Sequence, residues 1–471
     1  MLNIVSDISI AIIMLDLYAI FRAISRSHGV EGTLAWIFAI IAFPGFGALS
    51  YLFFANPSIK STTRRKRLTA EVVRKAITTR IGVASGNDPG SVLHLSSALT
   101  GLLPTTGNSV DLLTENEYAF DQIEQAIAEA KQSVWAEYFI ISNDETGRHF
   151  LELLAAKARK GIEVRLLYDA IGSLGIDAKR LSEIKAAGGK AEPFLPVNPL
   201  KKRWSVHLRN HRKIIIIDGK TGFTGGMNIG NEYSGRKWRK KPIDHFRDTH
   251  LSLRGPAVSD LAQIFTEDWT FATGETLAFP EPADLNEKGT SVVTVVPSGP
   301  DQKYNASSLV YFTAITSAQK RCYVSTPYFI PDEPTIQALI SAAIRGVDVR
   351  VIVPEKSDIA ISGPAARSYY PKLVHAGVRI FEYQASMLHS KSLYVDGKWG
   401  IVGSANADIR SFRLNFELGV IVTDDIFTQH LENRFFKDFS QSREVRAEDL
   451  YQRGLTERLW QGTCRLLSPL L

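Results

Sequence analysis

Cysteine is nearly missing from this chain: 471 residues contain two, Cys322 and Cys464, and neither belongs to a C-x-x-C pair. That excludes a disulfide framework and a cysteine-based zinc site. Cys322 lies in an apolar run and reads as a small core residue, in keeping with a reducing compartment. A secretory leader is missing too, because the N-terminus has no basic n-region and no small-residue cleavage site. Charge is modest, at 22% against 45% hydrophobic residues, which fits a folded chain. The net charge of +6 suits an anionic partner such as nucleic acid, phosphate or an acidic membrane, without choosing among them. The length is too great for one ordinary core and implies two or three domains.

Charge disappears altogether between Leu34 and Phe54 (LAWIFAIIAFPGFGALSYLFF). As a helix these residues would extend roughly 31 Å, about the hydrocarbon thickness of a bilayer. Trp36, Tyr51, Phe53 and Phe54 fall near its ends, where aromatic rings favour the interface, and Pro44-Gly45 should kink it. The preceding segment, Ile4 to Ile24, carries Asp7 and Asp16 and is the weaker candidate, read as a hairpin partner. Lys60, Arg64, Arg65, Lys66 and Arg67 follow the second segment and outnumber Arg22 and Arg26 between the two. This bias predicts that everything from residue 55 onward is cytoplasmic. The cluster either grips anionic head groups or serves only as a topology signal.

The remainder alternates strand and helix patterns, and does so twice. SVWAEYFII (Ser133 to Ile141) reads as a buried strand, Phe150 to Lys160 as a helix ended by Gly161, and IEVRLLY (Ile162 to Tyr168) as a second, parallel strand. RCYVSTPYFI (Arg321 to Ile330), Thr335 to Arg345 with Gly346, and VDVRVIV (Val347 to Val353) repeat that order. Tyr138-Phe139-Ile140 matches Tyr328-Phe329-Ile330 in composition. Both copies then run into a helix and a glycine turn, Gly188-Gly189 and Gly377. A repeat of this length is a duplicated domain.

Each copy ends in one constellation. His211-x-Lys213-x4-Asp218 leads to Gly225-Gly226-Met227-Asn228, and His389-x-Lys391-x4-Asp396 leads to Gly403-Ser404-Ala405-Asn406. The differences 389 − 211 and 406 − 228 both give 178, so the motifs superpose without a gap. A His-x-Lys pair on a strand puts both side chains on one face. Two such halves facing each other supply two imidazoles, two ammonium groups and two amides. That set suits phosphoryl-type transfer, with lysine and asparagine on the non-bridging oxygens, one imidazole attacking and the other protonating the leaving oxygen. No metal or cofactor is required.

These residues resemble the phospholipase D superfamily and, within it, the bacterial cardiolipin synthases. The likeness extends to VRLLYDAIGS (Val164 to Ser173), FRDTHLSLRGPAV (Phe246 to Val258), TPYFIPDE (Thr326 to Glu333) and the stretch Leu388 to Leu418. It implies an α/β fold of two phospholipase D-like halves with pseudo-two-fold symmetry, preceded by N-terminal transmembrane helices. The expected division is a membrane anchor over 1–56, a basic linker over 57–105, a first half over 106–280 and a second over 289–471. The boundary between the halves is expected near Pro280 to Lys288, a Pro/Glu-rich polar stretch.

The resemblance also implies ping-pong transfer of a phosphatidyl group from one phosphatidylglycerol to another, through a phosphatidyl-histidine. His211 is taken as nucleophile and His389 as acid/base, although near-symmetric halves do not distinguish the two. Asp248 and Glu417 match the family's histidine-orienting acids, and Asn228 and Asn406 support the site. Asp218 and Asp396 brace rather than react, or merely form turns before Gly219 and Gly397. The family commonly has Trp-Arg-Asp where this chain has Phe246-Arg247-Asp248, and Arg236 to Lys241 (RKWRKK) is unusually basic. The expected setting is the inner or plasma membrane, with one or two spans and a two-span hairpin preferred, phospholipid substrates and no nucleic acid. Hydrolysis by water and phosphodiesterase work on nucleic acid remain competing readings, and oligomeric state is not legible.

Overall fold

The computed structural model describes residues 2–25, 29–54, 58–76, 92–196, 207–236, 245–278 and 289–467, divided into two units, Met1–Thr62 and Thr63–Leu471. The expected boundary near Pro280 to Lys288 and most of RKWRKK lie outside the described residues.

The first unit holds α1 (Leu2–Ser25), α2 (Gly29–Ala42) and α3 (Phe46–Phe54). Pro44-Gly45 does more than kink the uncharged run, since it ends α2 and starts α3. Gly45 has φ +75°, which costs a glycine little, and its N–H donates to Asp16 Oδ1 at 2.9 Å. The costly carboxylate of α1 is thus satisfied by a free backbone N–H at the start of α3. This reverses the ranking made from sequence. Asp7–Ser25 within α1 is the one described helix long and apolar enough to cross a bilayer, whereas residues 34–54 are split into two shorter helices. Ala19, Ala23 and Ala48 are buried among the three helices, and a Cβ on Gly47 would fall 2.4 Å from Ala39 O. Large side chains such as Met14, Phe21, Phe38 and Leu49 face outward. Ile40 and Tyr51 are buried with the alanines, so the outward face is apolar and the inner contact is a mix of small and large residues.

In the second unit, α4 (Ser58–Ala76, from Thr63 onward) and α5 (Val92–Thr100) occupy the stretch read as a linker. The strands of the first half are β1 (Thr105–Leu113), β2 (Ser133–Tyr138), β3 (Glu163–Asp169), β4 (Lys190–Phe194), β5 (Arg209–Asn210), β6 (Ile214–Ile217), β7 (Thr221–Gly225), β8 (Phe246–Arg247) and β9 (His250–Arg254). Those of the second are β10 (Ser291–Ser298), β11 (Arg321–Ser325), β12 (Asp348–Pro354), β13 (Arg379–Tyr383), β14 (Met387–Leu388), β15 (Ser392–Val395), β16 (Trp399–Gly403), β17 (Asn415–Thr423) and β18 (Ser442–Val445).

One sheet runs β4-β3-β2-β6-β7-β9-β1-β10-β17-β16-β15-β11-β12-β13-β18. Apart from β18, the order reads equivalently from both ends toward the antiparallel pair β1/β10, where the pseudo-two-fold lies. β2/β3 and β11/β12 are parallel, as the two β-α-β readings require. The crossover helices Glu145–Arg159 and Glu333–Ile344 are capped by Asp144 and Asp332, and end before Gly161 and Gly346 at φ +78° and +87°. All four isoleucines of β6 are buried, the continuous apolar run expected of a strand covered on both faces.

The fold corrects one alignment. Asp218 N bonds Ser133 O and Asp396 N bonds Arg321 O, so the equivalent strand starts differ by 321 − 133 = 188. Tyr138 and Tyr328 differ by 190 and are not equivalents: Tyr138 is buried core, whereas Tyr328 lines a cavity.

Candidate active site

His211–Lys213 and His389–Lys391 lie not within strands, as expected, but in the extended links between short strands and the sheet strands β6 and β15. Each short strand pairs, in parallel, with the opposite half: β5 with Asn415–Phe416, and β14 with β8. His211 N donates to Phe416 O at 2.9 Å, and His389 N donates to Arg247 O at 2.8 Å. The next residue of each partner strand is an acid. Glu417 Oε2 lies 2.9 Å from His211 Nδ1, and Asp248 Oδ2 lies 2.6 Å from His389 Nδ1. Both acids contact a histidine, but crosswise: the one following the first motif meets the second motif's ring, and conversely.

Burial pushes both imidazoles down to about 4, although Glu417 and Asp248 oppose the shift. Burial works to raise the two acids, yet the facing lysine and histidine charges hold both below their ordinary range. The consistent state is a neutral ring donating Nδ1–H to an ionised carboxylate, which leaves the Nε2 lone pair free of the carboxylate. Lys213 Nζ donates to His211 O at 2.6 Å, and Lys391 Nζ lies 3.1 Å from His389 Nε2. Burial drives both ammonium groups down, Lys391 to about 8. An entering anion would repay that desolvation.

His211, His389, Asn228 and Asn406 all line one cavity of about 340 Å³, whose wall also includes Ile359 and Ser362 of the second half. Phe246 stacks on His389 with centroids 5.2 Å apart, so the departure from tryptophan keeps an aromatic ring there. Phe139 meets His211 edge-on at 4.9 Å. Among the described residues, no cluster of three or more His, Cys, Asp or Glu side chains is arranged to hold a metal.

Comparison with known proteins agrees with this architecture. A family model described as "Cardiolipin synthase, PLD-like domain" matches residues 123–269 and again 311–439, and a phospholipase D-nuclease N-terminal model matches 14–56. The chain belongs to the phospholipase D-like cardiolipin synthase family. A cardiolipin synthase of Halalkalibacterium halodurans is 38% identical over 93% of this chain and 89% of its own length. A probable cardiolipin synthase of Bacillus subtilis is 36% identical over 98% of this chain and 92% of its own. The crystal structure of a phosphatidylserine synthase from Haemophilus influenzae shares the fold, with TM-score 0.61 at 14% identity over 81% of this chain and all of its own.

The motif aspartates are not in the cavity. Asp218 accepts from the backbone N–H groups of Lys131, Gln132 and Ser133 at 2.7–2.9 Å, and Asp396 from those of Gln319, Lys320 and Arg321 at 2.7–2.9 Å. Both stand at left-handed φ, +53° and +55°, and tie the turn after the motif strand to the start of β2 or β11.

Sequence reading missed Tyr233, Tyr328, Asp358, Asp408, Arg209 and Arg410, which also line the cavity. Tyr328 donates to Asp358 at 2.9 Å. Asp408 is pushed up to about 6 by burial. Only Arg209 and the Asn406-to-Arg410 stretch carried a signal, through their closeness to the motifs.

The basic cluster of α4 is also redistributed. Arg64, Arg65 and Arg67 are exposed, but Lys66 is buried, with Nζ 2.5 Å from Asp268 Oδ1. The other Asp268 oxygen binds Arg212, the middle residue of the first motif, whose Nε donates to Glu417 O at 3.0 Å. Burial works to raise Asp268, but Arg212 and Lys66 hold it at about 2. Neither head-group contact nor topology accounts for this lysine. Arg236, the one described residue of RKWRKK, is bound by Glu124 and Asp121 at 2.7 and 2.8 Å.

Proposed function

We propose that this chain moves a phosphatidyl group from one phosphatidylglycerol to a second, making cardiolipin and glycerol. The observation that carries the proposal is the pair of neutral imidazoles in one cavity, each with Nδ1 held by a carboxylate and Nε2 unencumbered by it. In the first step His211 Nε2 attacks phosphorus, the bond to the head-group glycerol oxygen breaks, and the His389 imidazolium gives that oxygen a proton. In the second step His389 takes the proton of a terminal hydroxyl on another phosphatidylglycerol. That oxygen attacks phosphorus, and the phosphorus–nitrogen bond breaks. Lys213, Lys391, Asn228 and Asn406 neutralise the non-bridging oxygens. The anionic diester supplies the charge that lets one buried imidazole hold a proton. Asp248 and Glu417 keep each ring in its reactive tautomer. Asp218 and Asp396 brace the motif strands.

The anchor supports a lipid over a nucleic acid, because it keeps the site beside bilayer substrates. The α1–α3 unit and the basic residues beyond it support several membrane segments, with the catalytic part on the cytoplasmic side. The proposed division keeps 1–56 as anchor, 106–280 and 289–471 as the halves, and gives the helices within 57–105 to the catalytic part.

Incubation of the purified chain with labelled phosphatidylglycerol tests the reading. Cardiolipin plus glycerol is the expected outcome. Phosphatidic acid would make it a lipase, and degraded DNA with no lipid product would make it a nuclease. Protein denatured at alkaline pH, where a phosphorus–histidine bond survives, should carry label in the wild type and in His389→Ala but not in His211→Ala. Label confined to the His211→Ala protein would reverse the two roles.

A further inference from the structure

The C-terminal helix Leu455–Leu467 has two unlike faces. Its inner face is small and polar. Cys464 is fully buried against Ile330 and Ala365, and Gln461 accepts from Arg453 at 3.2 Å. Its outer face carries Leu455, Leu459, Trp460 and Leu466, which are 52–77% exposed. Arg458 and Arg465 are exposed beside them, against a lone Glu457. An apolar face rich in leucine, with a tryptophan and flanking arginines, is the composition of a helix lying in a membrane interface. A surface helix with no partner would be expected to show polar residues there instead.

The position of this helix gives the face a purpose. It packs on Ser362–Arg367, and Ser362, Ile359 and Ile330 line the cavity that holds both histidines. The helix therefore backs a wall of the active-site cavity contributed by the second half, and its apolar face is turned outward from that wall. On the first half, Leu174 is 73% exposed three residues after Ile171, which also lines the cavity.

We infer that the outer face of Leu455–Leu467 docks into an anionic bilayer and seats the cavity mouth on the lipid surface. The inference rests on the proposed lipid substrate, since only a membrane-bound substrate makes a docked entrance useful. Leucine and tryptophan enter the head-group boundary, and the arginines meet lipid phosphates. A substrate head group then reaches the histidines without its acyl chains crossing water. The family match ends at residue 439 and does not include this helix.

The test uses the full-length protein in phosphatidylglycerol vesicles. Lipids brominated high in the acyl chain should quench wild-type tryptophan emission measurably more than that of Trp460→Phe. A Leu459→Glu/Leu466→Glu variant should transfer bilayer phosphatidylglycerol about tenfold more slowly or worse, yet stay within about twofold of wild type on a monomeric short-chain phosphatidylglycerol. The short-chain arm reports folding and chemistry. Equal quenching in wild type and Trp460→Phe would overturn the docking. So would equal loss on both substrates, or a detergent-solubilised dimer that the charged variant turns to monomer, because a second copy would then cover the face. Quenching that depends on Trp460 without any cardiolipin formed would leave the docking intact and remove the assigned reaction instead.

Discussion

Asp248 and His389 are 141 positions apart in the chain and 2.6 Å apart in space, and they belong to different halves. Glu417 and His211 make the reciprocal pair, across 206 positions. Neither half holds a complete imidazole–carboxylate couple. The crossing strands β5 and β14 exchange the acids between the halves.

Removing one acid should therefore disable the histidine of the opposite half. Asp248→Asn and Glu417→Gln should each cut turnover by on the order of 10²–10⁴-fold, because an amide no longer holds Nδ1–H in the required tautomer. Labelled phosphatidylglycerol turnover checks this, with circular dichroism to show that the fold persists. The two losses should also differ in kind. Glu417→Gln removes the covalent label, and Asp248→Asn slows its formation and its consumption.

Asp218 and Asp396 should behave otherwise. Each carboxylate satisfies three backbone N–H groups far from the cavity, so Asp218→Ala and Asp396→Ala should destabilise by about 1–3 kcal/mol. Activity per folded molecule should stay within several-fold of wild type. Asn tolerates left-handed φ better than Ala, so Asp218→Asn should be milder. Thermal unfolding and transfer rate measured on the same preparations distinguish bracing from chemistry.

Mild acid should weaken the fold before it stops the chemistry. His211 and His389 sit at about 4 in the folded protein against 6.5 for an ordinary imidazole. The unfolded chain therefore binds more protons between those values. Stability from the neutral rings is complete above about pH 6.5 and is lost as pH falls toward 4, at most roughly 3 kcal/mol for each ring. On the alkaline side kcat/KM should decline through about 8, where Lys391 loses its proton and its hold on the phosphate. Denaturant midpoints between pH 7.5 and 5, together with a rate profile to pH 9.5, test both limbs.

Within the α4 basic cluster, one lysine should matter far more than its neighbours. Lys66→Ala leaves Asp268 buried without its lysine and should destabilise by about 3 kcal/mol or more. Arg64→Ala, Arg65→Ala and Arg67→Ala, all at exposed positions, should stay within about 0.5 kcal/mol. Urea unfolding followed by tryptophan emission separates the two classes.

The sequence made the chemistry more legible than its placement. Residues at fixed short spacing carry the motifs, so His211, Lys213, Asn228 and their second-half counterparts stood out, as did the parallel strand pairs. What sequence order concealed was exchange across the pseudo-two-fold. Asp248 follows the first motif, and nothing in its neighbourhood says that it faces His389. The buried end of Lys66 was hidden because one helix turn holds Arg64, Arg65, Lys66 and Arg67, and only the partner Asp268, two hundred positions away, decides which of them turns inward. Asp16 looked costly in an apolar helix until the break at Gly45 supplied an N–H for it. Tyr328 was misassigned because like residues two positions out of register imitate a repeat.

The exchange also sets an order in time. Synthesis runs from the anchor outward, so His211 leaves the ribosome 206 residues before the glutamate that tautomerises it. Until residue 417 is made and β17 closes on β5, the nascent chain lacks the carboxylate that holds His211, although His389 emerges after its own acid, Asp248. The catalyst is silent toward the lipids around it until translation is almost finished.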